Sequence, residues 1–223
     1  MSVEWKVDHG PAYSVLKVHL DPGEEVWAEP GAFLLGRGRF SVETKAGGLL
    51  RGLMRAVAGG ESFFLNRYRA EGSAELWFAP GSPGDIAGIS VDGEWLVQDT
   101  SYLAHYGDID VSVAWRGLRG LIAEGELVWL KASGRGTVWV SSYGAIERVE
   151  VPPGEVVTID NFHFVAMPAD ADYEIGKIGG LKTLVFGGEG LVVRVRGPAQ
   201  IYVQTRILPP FAGLIAKYIP RRR

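Results

Sequence analysis

One pattern of turns and strands occurs three times along the chain. Each copy has a glycine turn, then a glutamate, then an apolar run: Asp21-Pro22-Gly23-Glu24, Asp92-Gly93-Glu94 and Pro152-Pro153-Gly154-Glu155. The glycines of these first anchors are 70 and 61 residues apart. Such a period exceeds that of ordinary solenoid repeats and is typical of small repeated β modules. The pattern therefore predicts an internal triplication.

Three further features recur in the same order within each copy. A second anchor of glycine and glutamate lies at Gly60, Gly125 and Gly188. A segment of Gly, Leu and basic residues precedes it at 47–53, 117–121 and 179–184, and a strand with a central aromatic follows at Trp77, Trp139 and Tyr202. We predict a lead-in at 1–12, modules at 13–79, 84–142 and 143–206 within one compact domain, and a C-terminal amphipathic helix and basic tail at 207–223.

The apolar runs within the modules predict β-strands. Leu16, Val18 and Leu20 alternate with polar neighbours, as a half-buried strand requires. Other runs rich in Val, Ile, Phe, Tyr and Trp lie at 61–69, 85–91, 108–114, 137–142, 145–151, 189–195 and 199–205. Asp21-Pro22-Gly23-Glu24 suits a type II turn, and Asp92-Gly93 suits a type I′ hairpin. The predicted fold is all-β, with three antiparallel modules.

Helical patterns are short. Apolar residues at helical spacing predict an amphipathic helix over 48–58, whose counterparts at 117–123 and 179–186 are shorter. A second helix is predicted from Phe211 to Tyr218, between Pro209-Pro210 and Pro220.

Composition excludes several kinds of site. The 223 residues contain no cysteine, which excludes disulfides, thiolate metal sites and a cysteine nucleophile. The net charge of -3 argues against a generally basic nucleic-acid binder. The seven Trp, eight Tyr and nine Phe are not interleaved with cations, so we expect them to fill the core rather than to stack on bases.

Motifs for catalysis or metal binding are missing. The histidines His9, His19, His105 and His163 are too far apart for a local metal site. The glycines at 187–190 lack a phosphate-loop pattern, and Ser141-Ser142 lacks a nucleophile elbow. Glu24, Glu94 and Glu155 are either exposed residues after turns or ligands that converge on a cation. We predict no catalytic residue, no cofactor and no metal.

The C-terminal end is basic. No acidic residue follows Glu189, and the last positions include Lys217, Arg221, Arg222 and Arg223. These four cations are the candidate contacts with an anionic membrane or a protein partner, and the helix before them either docks on the body or on a neighbouring subunit. The first residues lack a secretory or transit pattern, and no apolar stretch approaches the roughly 20 residues of a membrane span. We therefore expect a cytoplasmic protein, with peripheral membrane attachment as the alternative.

Five stretches of the sequence resemble the "altered inheritance of mitochondria" family. They are Glu29-Pro30-Gly31-Ala32-Phe33, 45–68, 140–146, Asp160-Asn161-Phe162-His163 and 179–206. The resemblance implies an all-β fold similar to the tryptophan RNA-binding attenuator protein, of the double-stranded β-helix type. It implies no catalytic residues, and a shared fold does not transfer RNA binding.

These observations favour a non-enzymatic binding or scaffolding protein that forms homo-oligomers. The alternative is a small-molecule-binding protein or enzyme with a pocket between modules. RNA binding is the least favoured, because the body of the chain is acidic.

Overall fold

The computed structural model describes residues 3–46, 64–116, 128–177 and 191–219. The predicted helix at 48–58, its counterparts at 117–123 and 179–186, and the second anchor glycines lie outside the described residues. So do Arg221, Arg222 and Arg223.

The described part of the chain is built mainly from antiparallel strands, which confirms the all-β fold. The strands are β1 (Glu4–Asp8), β2 (Val15–Leu20), β3 (Glu25–Ala28), β4 (Phe33–Ala46), β5 (Phe64–Phe78), β6 (Ile86–Gln98), β7 (Tyr102–Arg116), β8 (Val128–Ser141), β9 (Ile146–Val151), β10 (Val156–Asp160), β11 (Phe164–Pro168), β12 (Asp172–Lys177), β13 (Leu191–Arg196) and β14 (Ala199–Gln204). Short 3₁₀ turns occupy Asp99–Ser101 and Asn161–His163, and one α-helix, α1, spans Leu208–Ala216.

The same pairing order occurs in three consecutive parts of the chain. β5 pairs with β2 and β3 on one side and with β4 on the other. β8 likewise lies between β6 and β7. In the last part, β13 and β14 lie between β10 and β9 on one side and β12 and β11 on the other. The triplication and the attenuator-protein-like topology stay predictions, and this order supports the triplication.

Two joints connect these parts into a larger sheet. β3 pairs with β7, and β6 pairs with β11. The starts of the three parts also meet, because Ser14 N donates to Gly84 O and Asp85 N donates to Gly144 O, each at 3.0 Å. A Cβ at Gly84 would lie 1.7 Å from Ser142 O, so the chains approach this closely only because glycine is there.

The anchor turns behave differently from one another. Glu24 N donates to Asp21 O at 3.0 Å and Gly23 has φ of 90°, which fits the predicted type II turn. The hairpin predicted at Asp92-Gly93 is wrong, because β6 runs through these residues without interruption. Gly93 faces Gly134 across the sheet, and both have positive φ, so the paired strands bend together instead of reversing.

The core consists of three hydrophobic clusters, each drawn mainly from one of the three parts. The alternating residues Leu16, Val18 and Leu20 are fully buried, as predicted. Trp139 and Tyr202 are buried in the clusters, also as predicted. Trp77 is only half-buried, and the Lys17 ammonium lies 3.6 Å from its ring centroid, where a cation–π contact replaces burial.

Helix α1 begins at Leu208, three residues before the predicted start. Pro209 and Pro210 lie in its first turn, where backbone N–H groups have no partner within the helix and proline is tolerated. The segment therefore uses its prolines to begin the helix rather than to delay it.

Candidate functional site

A groove of about 660 Å³ lies between helix α1 and the body of the protein. Two strand ends and two turns form the side that belongs to the body, and one face of α1 forms the other. Its lining residues are Ser82, Gln98, Asp99, Thr100, Tyr143, Phe162, Gln204, Ile207, Leu208, Pro209, Ala212, Gly213 and Ala216. The groove thus spans the second and third predicted modules and the C-terminal helix.

Gln204, at the end of β14, fixes the floor of the groove. Its Oε1 accepts a hydrogen bond from Tyr143 N at 2.9 Å, and its Nε2 donates to Phe162 O at 2.7 Å. His163 Nδ1 donates to the backbone oxygen of Gln204 at 2.6 Å. Asp160 caps the same turn by accepting from Phe162 N at 3.0 Å. These bonds hold the turn at 161–163 and the segment at Tyr143 in one arrangement.

Two buried carboxamides accompany the groove. Gln98, at the end of β6, is 6% exposed, and its Oε1 has no hydrogen-bond partner among the described residues. Asn161, next to Phe162 of the lining, is 1% exposed, and neither amide atom has a partner within the described ranges. An unsatisfied buried polar group costs about 1–3 kcal/mol, so such atoms mark places where a ligand or a water is accommodated.

Helix α1 itself is apolar on every side, and none of its residues is buried. One face, with Leu208, Ala212 and Ala216, lines the groove. The opposite face carries Phe211, Leu214 and Ile215, which are 44–50% exposed. The helix was predicted to be amphipathic, yet the residues 208–216 include no charged side chain, so its polar end is confined to the residues that follow it.

A second cluster of ionisable groups lies at the joint between β3 and β7. The hydroxyl of Tyr102 lies 2.6 Å from Nδ1 of His105, and the imidazole stacks on Trp27 with ring centroids 6.1 Å apart. Burial lowers the pKa of His105 to about 3. Burial also raises the pKa of the half-buried Glu29 to about 7, and the pKa of Tyr102 lies well above its ordinary value because of burial and the nearby Glu29.

The structure places the residues singled out in the sequence at separate locations. His105 contacts Tyr102, His163 contacts Gln204, and His19 Nε2 lies 3.3 Å from the Ser73 hydroxyl. His9 adopts a φ of 63° in a turn. Within the described ranges, no group of three or more His, Asp or Glu side chains is arranged to hold a metal ion.

The three anchor glutamates have different surroundings. Glu24 accepts from the hydroxyl of Tyr106 at 2.5 Å, and this bond adds to burial in raising the pKa of Tyr106 to about 12. Glu94 accepts from Lys131 Nζ at 2.8 Å, and Glu155 is exposed. The exposed-residue interpretation fits Glu155 and Glu94, whereas Glu24 is half-buried and serves the contact with Tyr106.

Of the basic residues at the C-terminal end, Lys217 is exposed directly after α1. Arg194 and Arg196 in β13, which also contribute to the basic excess, pair with Glu174 and Asp172 at 3.1 and 3.2 Å. In the part of the chain that the structure describes, α1 is too short to cross a bilayer, and no other helix could do so.

Sequence reasoning missed the residues that build both clusters. Gln98, Gln204 and Glu29 belong to no local motif of chemistry, and they come together only through strand pairing. The one signal available was the family-like stretch at 160–163, which forms the turn beside the groove.

Comparison with known proteins identifies the family. The model of the family described as Mitochondrial biogenesis AIM24 matches residues 5–206. An uncharacterized protein of Streptococcus pyogenes serotype M6 is 26% identical over 228 residues, which cover 98% of this chain and 92% of that protein. The crystal structure of a Streptococcus pyogenes protein, a structural genomics target, matches with a TM-score of 0.81 and 28% identity, over 97% of this chain and 100% of that chain. The resemblance found in the sequence is confirmed, and the chain belongs to the AIM24 family.

Proposed function

We propose that this protein is a non-enzymatic scaffold that self-associates through its sheet edges and attaches peripherally to an anionic membrane through its C-terminal end. The observation that carries the proposal is a joint between strands that occurs twice within the chain and has a third, unfilled counterpart.

The two filled joints are built alike. At the first, β3 pairs with the beginning of β7, and Glu29 N donates to Leu103 O at 2.9 Å. At the second, the end of β6 pairs with β11, and Ala169 N donates to Glu94 O, also at 2.9 Å. In both joints the strand after a first anchor pairs with the strand after the next 3₁₀ turn.

The third joint would need β10 and β4. In the predicted repeat, β10 occupies the position of β3, and β4 occupies the position of β7 and β11. Among the described strands, however, β10 pairs only with β13 and β4 pairs only with β5. Leu34 and Val156, one on each of these strands, are both 53% exposed. An unpaired edge with exposed apolar residues is a template for pairing with another chain.

A second copy of this chain offers the complementary edge. If β10 of one copy pairs with β4 of the next, the sheet continues across the interface by the same pairing that joins the parts within one chain. Such a head-to-tail contact uses two different surfaces, so it generates rings or filaments rather than an isolated dimer.

The C-terminal end supports attachment to a membrane. Exposed apolar side chains of α1 are followed by Lys217, Arg221, Arg222 and Arg223. Cations near an anionic leaflet contribute about 1 kcal/mol each, so four contribute about 4 kcal/mol, which corresponds to millimolar affinity. Because an oligomer presents many such ends, avidity converts this weak attraction into stable attachment.

Analytical ultracentrifugation over a range of concentrations tests self-association. We expect the average mass of the full chain to rise with concentration, and Leu34→Lys and Val156→Lys to remain monomeric because each places a charge on an edge. Val42→Lys is the matched control: Val42 is also exposed on β4, but beyond the part that corresponds to the joints. A monomeric wild-type protein at high concentration, or lysine variants that associate as the wild type does, would refute the scaffold.

Flotation with vesicles tests the membrane contact. We expect the full chain to float with phosphatidylserine-containing vesicles and not with pure phosphatidylcholine. Replacing Lys217, Arg221, Arg222 and Arg223 by glutamine should abolish flotation, and so should Leu214→Asp. Equal recovery of the full chain and of a chain that ends at Arg206 would eliminate the role of the C-terminal end.

A further inference from the structure

We infer that the groove beneath α1 binds a small, mostly apolar molecule that ends in a hydrogen-bond-donating group, such as a primary amine. The inference is independent of the scaffold function, because it concerns neither the sheet edges nor the outward face of the helix.

The size of the groove fits such a ligand. Its volume of about 660 Å³ falls within the range of about 300–1,000 Å³ that is usual for small-molecule sites. The position between the second and third predicted modules also matches the inter-module pocket that the sequence left open as an alternative.

The walls of the groove are apolar and the floor is rigid. Phe162 and Ile207 on the body face Leu208, Ala212 and Ala216 on the helix side. The hydrogen bonds of Gln204 to Tyr143 and Phe162 hold the floor in place. The small side chains of Ala212 and Gly213 leave the space open, so the groove is shaped to accept an apolar body.

The polar groups of the groove are acceptors at one end. Gln98 is more than nine-tenths buried, and its Oε1 accepts no hydrogen bond from any described residue. The neighbouring Asp99 also lines the groove, and its carboxylate accepts from Thr100 N at 2.8 Å. A donor on the ligand would satisfy Gln98 Oε1 and recover the cost of its burial.

The charges around the groove select the kind of donor. None of its lining residues within the described ranges is Lys, Arg or His, whereas Asp99 carries a negative charge. A carboxylate or phosphate would therefore meet an acceptor and a carboxylate with no cation to balance it. An ammonium group meets favourable partners at the same place, so an amine should bind better than an acid of equal length.

Calorimetric titration with n-octylamine, 1-octanol and octanoate tests the inference, because the three probes share similar apolar chains. We expect saturable binding to the full chain, with n-octylamine tightest and octanoate weakest. Gln98→Leu should weaken octylamine about tenfold, because it removes the acceptor and keeps the volume. It should not lower the thermal stability.

Two helix variants keep the test independent of Gln98. Ala212→Trp fills the groove from an exposed position and should abolish binding of all three probes. Ile215→Trp adds the same ring on the opposite face of α1 and should leave binding unchanged. Absence of saturable octylamine binding, an equal preference for octanoate, or wild-type binding by Ala212→Trp would overturn the inference, while the ultracentrifugation result would stand on its own.

Discussion

The hydroxyl of Tyr102 and Nδ1 of His105 lie 2.6 Å apart in the interior, where both side chains are almost completely buried. The two residues come from β7, and Trp27 of β3 stacks on the imidazole, so the pair lies at the joint between two consecutive parts of the chain. Buried polar pairs of this kind are costly to break, because the group left behind is cut off from water.

Removing the hydroxyl of Tyr102 should destabilise the protein. Tyr102→Phe keeps the ring and leaves His105 Nδ1 without this partner, so we expect the free energy of unfolding to fall by about 1–3 kcal/mol. Urea denaturation measures the change. Tyr13→Phe is the control, since Tyr13 is 73% exposed and should unfold as the wild type does. Equal stability of the two variants would mean that the Tyr102–His105 contact contributes nothing.

Glu29 should make stability depend on pH. Its pKa of about 7 in the folded state lies above the ordinary value of 4.5, so the folded protein keeps a proton that the unfolded chain releases. The contribution of Glu29 therefore falls as pH rises from about 4.5 to about 7. His105 acts in the opposite direction between about pH 3 and 6.5, because its lowered pKa makes the unfolded chain the better proton acceptor.

The variant Glu29→Gln separates the two groups. We expect its stability relative to the wild type to increase between pH 5 and pH 8, by about 1–2 kcal/mol after allowance for the partial exposure of Glu29. Thermal unfolding of both proteins across this pH range measures the difference. A difference that stays constant with pH would show that the carboxyl group titrates normally.

Gly134 should tolerate no side chain. It has φ of 128°, and a Cβ would lie 2.1 Å from Asp108 O, so Gly134→Ala combines backbone strain with a clash against β7. We expect a loss of at least about 2 kcal/mol in unfolding free energy. Gly81→Ala is the matched control, since an added Cβ there meets nothing within 4 Å. Comparable stability of both variants would contradict the tight three-strand bend.

Gln204 should stabilise the floor of the groove. Gln204→Leu removes the bonds with Tyr143 N and Phe162 O, and we expect it to cost about 2–3 kcal/mol. Gln200→Leu, which loses an exposed bond to Glu150, should change stability by no more than about 0.5 kcal/mol. Chemical denaturation distinguishes the two, and a silent Gln204→Leu would remove the residue from the account of the groove.

The sequence by itself determined the all-β fold and the family. Turn glycines and alternating apolar residues act locally: Gly23, Gly93 and Gly154 all adopt positive φ, and Leu16, Val18 and Leu20 all face the core. Local chemistry is sufficient for these features because a glycine at a bend or an apolar face on a strand needs no knowledge of the partner strand.

Only the tertiary structure decided whether Asp92-Gly93 reverses the chain or bends it, since that depends on Gly134 across the sheet. Long-range pairing also brought Gln98 and Gln204 to one groove, left the edges of β4 and β10 without a described partner, and buried Tyr102 beside His105 and near Glu29. Register and packing between distant segments are non-local, so no single stretch of sequence carries them.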